Sequence, residues 1–133
     1  MNRTQIRIAY ANTDQMGVVY YANYLVFFEK GRTELLRDMG LDYRTIEERG
    51  FYFPVVYCEC DYLAPARYDD IIDIETKLIE ITAASISCAY EIKCLGKTLV
   101  KGKTKHPFVR KDNAKPSRFP QDIREILEKH LEK

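Results

Sequence analysis

The sequence predicts an α+β fold, in which an antiparallel sheet of about five strands wraps around one long helix and a second helix closes the chain. Three observations carry that prediction. One long segment of helical period stands early in the chain, segments rich in β-branched and aromatic residues follow it, and the separators between those segments are too short for parallel crossovers. At 133 residues the chain fits one domain with a sizeable core and is too short for two, so a single domain over residues 1–133 is expected.

Residues 3–10, RTQIRIAY, alternate with Ile6, Ile8 and Tyr10 on one face, the period of a half-buried first strand. Asn12, Thr13, Asp14 and Gly17 are turn formers, and a helical segment follows from Asn23 to Met39, ended by Gly40. Tyr24, Phe28, Gly31, Leu35 and Met39 line one face of it. Its start is nearly all apolar, Tyr24 through Phe28, before charge arrives at Glu29, Lys30 and Arg32, so the first turns are expected to be surrounded. Gly31 costs about 1 kcal/mol relative to Ala in a helix interior, and its place on the buried face points to close approach by another backbone, as a wrapped sheet would supply. A short helical segment spans Asp42 to Arg49. Residues 51–63, 71–82, 86–95 and 98–110 read as strands, separated by turns at Pro65 to Asp70, Ala83 to Ser85 and Leu95 to Lys97. Pro120 opens a final helix, QDIREILEKHLEK, with Ile123, Ile126, Leu127 and His130 on one side.

Hydrophobic residues make up 46% and charged residues 31%, a composition that excludes disorder. Nothing approaches the roughly 18 consecutive apolar residues of a membrane span, and MNRTQIRIAY lacks a signal-peptide core, so the expected compartment is the cytoplasm. Cys58, Cys60, Cys88 and Cys94 show no CxxC spacing and sit in apolar runs, which reads as buried small hydrophobes; His106 and His130 are too far from them in sequence for a zinc site. No metal or other cofactor is expected. A net charge of +1 argues against nucleic acid as the main partner. The distribution is uneven, however, with seven acids against two bases over residues 59–80 and eight bases against one acid over 97–118. Lys101, Lys103 and Lys105 would share one strand face, either as a solvated outer surface or as a contact for a polyanion.

The stretch NTDQMGVVYYANY, residues 12–24, resembles the signature of the 4-hydroxybenzoyl-CoA thioesterase family, particularly its YbgC-type acyl-CoA thioesterases: Asp14, Gly17, Val19, Tyr20 and Tyr24 match, and the helix FFEKGRTELLRDMG continues the likeness. It returns at DYLAPARYDD, residues 61–70, and covers essentially the whole chain. The resemblance implies the hotdog fold and hydrolysis of a small-to-medium acyl-CoA thioester. It also implies a homo-oligomer, dimer or tetramer, whose sheets join edge to edge with the site between subunits. It makes Asp14 the catalytic carboxylate and assigns the oxyanion donor to the backbone N–H of Tyr21.

This chemistry also has a reading of its own. Asp14 precedes a Gly-containing turn into a helix, so its carboxylate is expected near helix-start amides, where a thioester oxygen gaining negative charge could be stabilised. The carboxylate then activates a water or attacks the carbonyl carbon itself. The competing use of Asp14 is as a turn or N-cap residue. Asn12 stands where many relatives have a second Asp and cannot be a base, and Tyr21 stands where YbgC-type members have His. Glu29 and Glu34 are the reserve carboxylates, Glu34 being placed to pair with Lys30.

Gly17, Val19, Tyr20, Tyr24, Phe28 and Phe53 are the expected substrate-binding residues, with Ser85 in a loop that could meet the nucleotide or form an ordinary turn. The partner is acyl-CoA, with acyl carrier protein as an alternative carrier. A hotdog hydratase reading lacks a histidine beside the carboxylate. A silent acyl-CoA or acyl-carrier-protein binding module is the rival of a different class.

Overall fold

The computed structural model describes residues 1–132. Five strands form one antiparallel sheet in the order β1-β4-β5-β6-β3: β1 (Asn2–Arg7), β3 (Tyr57–Tyr62), β4 (Ile71–Ile81), β5 (Ser85–Cys94) and β6 (Lys97–Pro107). β2 (Phe51–Tyr52) and β7 (Val109–Arg110) pair separately. The helices are α1 (Asn23–Asp38), α2 (Tyr43–Glu48) and α3 (Gln121–Lys129). This is the hotdog arrangement, with α1 held against the inner face of the sheet.

The helical stripe read from the sequence is the one buried: Tyr24, Phe28, Gly31, Leu35 and Met39 all face inward. Even-numbered residues of β4 and β5 (Ile72, Ile74, Leu78, Ile86, Tyr90, Ile92) complete the core, as period-two alternation requires. Gly31 meets the sheet where a Cβ would land on the Thr76 hydroxyl and lie 2.8 Å from Ile74 Cγ2, and a Cβ at Gly102 would strike the Phe28 ring. α1 therefore lies closer to the sheet than larger residues at these two places would permit.

Several expectations need correction. The segment 51–63 is not one strand, because Pro54 has no N–H to pair and Phe53 turns into an aromatic cluster with Phe108 (5.2 Å) and Phe119 (6.2 Å). The segment 98–110 breaks at Phe108, whose N–H leaves the ladder for the Ala84 carbonyl at 2.7 Å. Tyr10 is exposed in a 3-10 turn (Tyr10–Asn12), and His130 is exposed just beyond α3. Only Cys88 is fully buried, and Cys58 is exposed on edge strand β3. Leu25 and Val26 stand 44% and 58% exposed, so the first turns of α1 are surrounded on one side only. No helix among the described residues is long and apolar enough to cross a membrane.

Candidate active site

Between β1 and α1 the chain doubles back on itself. The Asp14 N–H donates to the Val18 carbonyl (2.9 Å), the Gly17 N–H donates to the Asp14 carbonyl (3.1 Å), and Thr13 bridges Val19. Gly17 closes the turn at φ +78°, a conformation that L side chains rarely adopt. The Asp14 carboxylate takes part, with Oδ1 accepting the Met16 N–H at 2.8 Å while Oδ2 has no partner among the described residues. Asn12 is a scaffold residue. Its Oδ1 accepts the Ala9 N–H (2.8 Å), and its carbonyl receives both the Tyr20 N–H (2.9 Å) and the Asn23 side chain (2.8 Å).

The strap between β3 and β4, residues 63–70, clamps this turn. Buried Val19 donates its N–H to the Ala66 carbonyl (2.8 Å), and the Ala66 N–H donates to the Tyr24 hydroxyl (3.1 Å). Tyr24 is thus a buried wall whose polar end is satisfied. Between turn, strap and helix start lies a cleft of about 370 Å³, with Asp14, Val18, Val19, Tyr21, Tyr24 and Tyr62 among its walls. Asp14 is exposed in the single chain, which leaves the cleft open on one flank.

The amides at this end of α1 are unused. Neither Tyr21 N–H nor Ala22 N–H meets an acceptor among the described residues, as helix starts leave their first donors free. Tyr62 reaches in from β3 and donates its hydroxyl to the Tyr21 carbonyl at 3.2 Å. Because the peptide unit is planar, fixing that carbonyl also fixes the direction of the Ala22 N–H. Burial and the neighbouring Cys60 push the Tyr62 hydroxyl up to about 12, so it keeps its proton at neutral pH. Its only sequence signal was its place at the start of the matching segment 61–70.

The remaining predicted residues are scattered. Tyr20 stacks obliquely on Tyr21 with ring centres 4.7 Å apart, at the rim. Phe28 is stacked on Tyr90 (4.4 Å) and lines a different cavity, of about 270 Å³, with Val26, Glu29, Arg32, Val55 and Cys58. Phe53 belongs to the Phe108 cluster, and Ser85 is buried with its hydroxyl on that of Thr82, both away from the Asp14 cleft. Glu29 is exposed in the second cavity, while Glu34 pairs with Arg37 (3.4 Å) rather than Lys30. Lys101 lies between Glu91 and Asp61, and Lys103 beside Glu59, on the outer face of the sheet, where charges of both signs alternate.

A buried polar chain underlies the second cavity. Pro54 offers only a carbonyl, so His106 Nδ1 must carry the proton it donates (3.1 Å), leaving Nε2 to accept from the Thr104 hydroxyl (2.7 Å). Thr104 in turn accepts from Tyr90 (2.6 Å), and Tyr90 accepts from Arg32 Nη1 (3.0 Å). Burial, then the Arg32 charge, hold His106 down at about 4, consistent with a neutral ring.

Residues 9–127 match the thioesterase-like superfamily. The acyl-CoA thioesterase YbgC of Haemophilus influenzae is 36% identical over 122 residues, which cover 90% of this chain and 88% of that protein. The crystal structure of hypothetical protein TT1821 from Thermus thermophilus superposes with a TM-score of 0.94 at 34% identity, covering 98% of this chain and 99% of that one. DHNA-CoA thioesterase from Staphylococcus aureus superposes with a TM-score of 0.92 at 28% identity, covering 96% and 88%.

Proposed function

This chain belongs to the thioesterase-like superfamily, and from that premise we propose that it is an acyl-CoA thioesterase that hydrolyses a small-to-medium acyl-CoA, with Asp14 as its catalytic carboxylate and the Tyr21 N–H as oxyanion donor. One observation carries the reading: Asp14 and Tyr21, whose amide has no protein acceptor, border the same cleft.

A thioester seated there rests its carbonyl oxygen against the free amides. As the carbon is attacked, negative charge develops on that oxygen, and a fixed donor at such a point contributes ~2.7–4 kcal/mol. Asp14 is steadied through Oδ1 and acts through Oδ2. As a general base it takes a proton from water, the resulting hydroxide adds to the carbon, and collapse of the tetrahedral intermediate breaks the C–S bond and releases CoA as thiolate. As a nucleophile it forms a mixed anhydride with loss of the same thiolate, and water then opens the anhydride to the free acid. Val19 and Tyr24 wall the site in either route.

A silent binding module is the second reading, favoured by the Asx turn that gives Asp14 a purely structural task. Thiol release separates the two. Across short, long and aromatic acyl-CoAs the wild type turns over, and Asp14→Asn keeps its fold and assembly while losing at least ~10²-fold in kcat. Binding with no thiol release by the wild type selects the module, and unchanged turnover by the variant removes Asp14 from the chemistry.

The unit of function is a homo-oligomer built on the outer edge of β3. That edge is unpaired in the single chain, and Val55, Val56, Tyr57 and Leu63 beside it are all about half exposed or more. A second copy pairing there would also cover Leu25 and Val26 and close the open flank near Asp14.

A further inference from the structure

We propose that the second cavity is an acyl-end subsite selective for acyl groups that carry a distal carboxylate, with Arg32 as the residue that binds it. The inference rests on the thioesterase reading above and names its substrate class.

Arg32 is only 5% exposed, and its guanidinium has no carboxylate within ion-pair distance among the described residues. Its two bonds go to neutral hydroxyls, Nε to Tyr43 (3.1 Å) and Nη1 to Tyr90 (3.0 Å). Nη2 bonds to nothing, yet it is not among the sealed polar atoms, and Arg32 lines the cavity. A charge removed from water without a counter-ion is costly, and the forked N–H groups of a guanidinium match the two oxygens of a carboxylate.

The cation is also held in place. The chain from Pro54 through His106, Thr104 and Tyr90 has a fixed donor direction, and Arg32 is its terminal donor. Tyr43 holds the other side. Exposed Glu29 lines the same cavity and makes no ion pair with Arg32.

The rest of the lining suits a methylene chain, since Leu25, Val26, Phe28 and Val55 are apolar, and the second copy proposed above would roof the cavity along Leu25, Val26 and Val55. Tyr24, a wall of the Asp14 cleft, and Arg32 stand eight residues apart on α1 with Phe28 between them, so the helix rises roughly 12 Å from one to the other. A substrate ending in a methyl group fills the apolar wall and leaves the cation unpaired.

The test compares suberyl-CoA with octanoyl-CoA, which share a carbon count, differ in the terminal group and are long enough to reach from the Asp14 cleft to Arg32. The wild type is expected to favour suberyl-CoA by about 10-fold or more in kcat/KM, the worth of one charge-assisted contact. Arg32→Gln should bring the ratio near one, and Arg32→Lys should retain part of it. Non-hydrolysable thioether analogues of the same pair, titrated by calorimetry, should give a matching ratio of Kd. Equal kcat/KM and equal Kd in the wild type overturn the proposal, and dissociation of an oligomer by Arg32→Gln would then assign the cation to a partner's acid. A persistent Kd ratio with no hydrolysis of either thioester sinks the thioesterase reading and leaves the subsite standing.

Discussion

His106 ties stability to pH through a single proton. It is completely buried, and its folded value of about 4 lies below the ordinary 6.5. Between those limits the unfolded chain binds a proton that the folded chain refuses, so stability present above pH 6.5 is lost as pH falls toward 4, by about 3 kcal/mol. Urea midpoints at pH 7 and 4.5 measure this, and His106→Gln should show a smaller drop between them; an equal drop would place the acid sensitivity elsewhere. The same residue marks how far single positions could be read in the sequence. The turn through Asp14 and Gly17 into a helix start is legible because its geometry is local, whereas Val19, Tyr21 and Tyr24 stand out only through the family resemblance. Tyr62 is not legible, since it reaches Tyr21 from 41 residues away. Arg32 read as the onset of a charged face, and only its distant partner Tyr90 and nearby Tyr43 make it a buried group.

Elements with a sustained period were readable, and those broken by a single side chain were not. The stripe from Tyr24 to Met39 fixed the inward face of α1, and β4, β5 and β6 begin and end within a few residues of the expected bounds. Pro54 and Phe108 split two segments whose composition reads as continuous strand, because one lacks a donor and the other turns into an aromatic cluster. Gly31 was readable from its cost alone, and the packing supplies the reason. In Gly31→Ala, helix propensity gains about 1 kcal/mol, while overpacking against the short, stiff Thr76 and Ile74 side chains costs about 1–3 kcal/mol. A net loss is expected in urea unfolding, partly recovered by adding Thr76→Ala. A stabilised Gly31→Ala would mean that α1 can lift from the sheet without penalty.

At the scale of the whole molecule, the chemistry needs surroundings that one chain does not provide. Fixed amides stabilise a developing oxyanion strongly only where water is excluded, yet Asp14 is exposed, as are Tyr21 (61%), Val26 (58%) and Val56 (63%). An open strand edge flanked by apolar residues is a surface on which a second strand would pair. If a second copy pairs along β3, assembly and turnover are one property. Val56→Glu combined with Tyr57→Glu places like charges on both sides of that junction and touches no wall of the Asp14 cleft or of the Arg32 cavity. Sedimentation velocity should show the wild type as a dimer or larger and the double variant as a single chain, with kcat/KM falling by ~10-fold or more as the oxyanion site fills with water. A wild type that sediments as one chain at full activity would overturn the link between assembly and turnover.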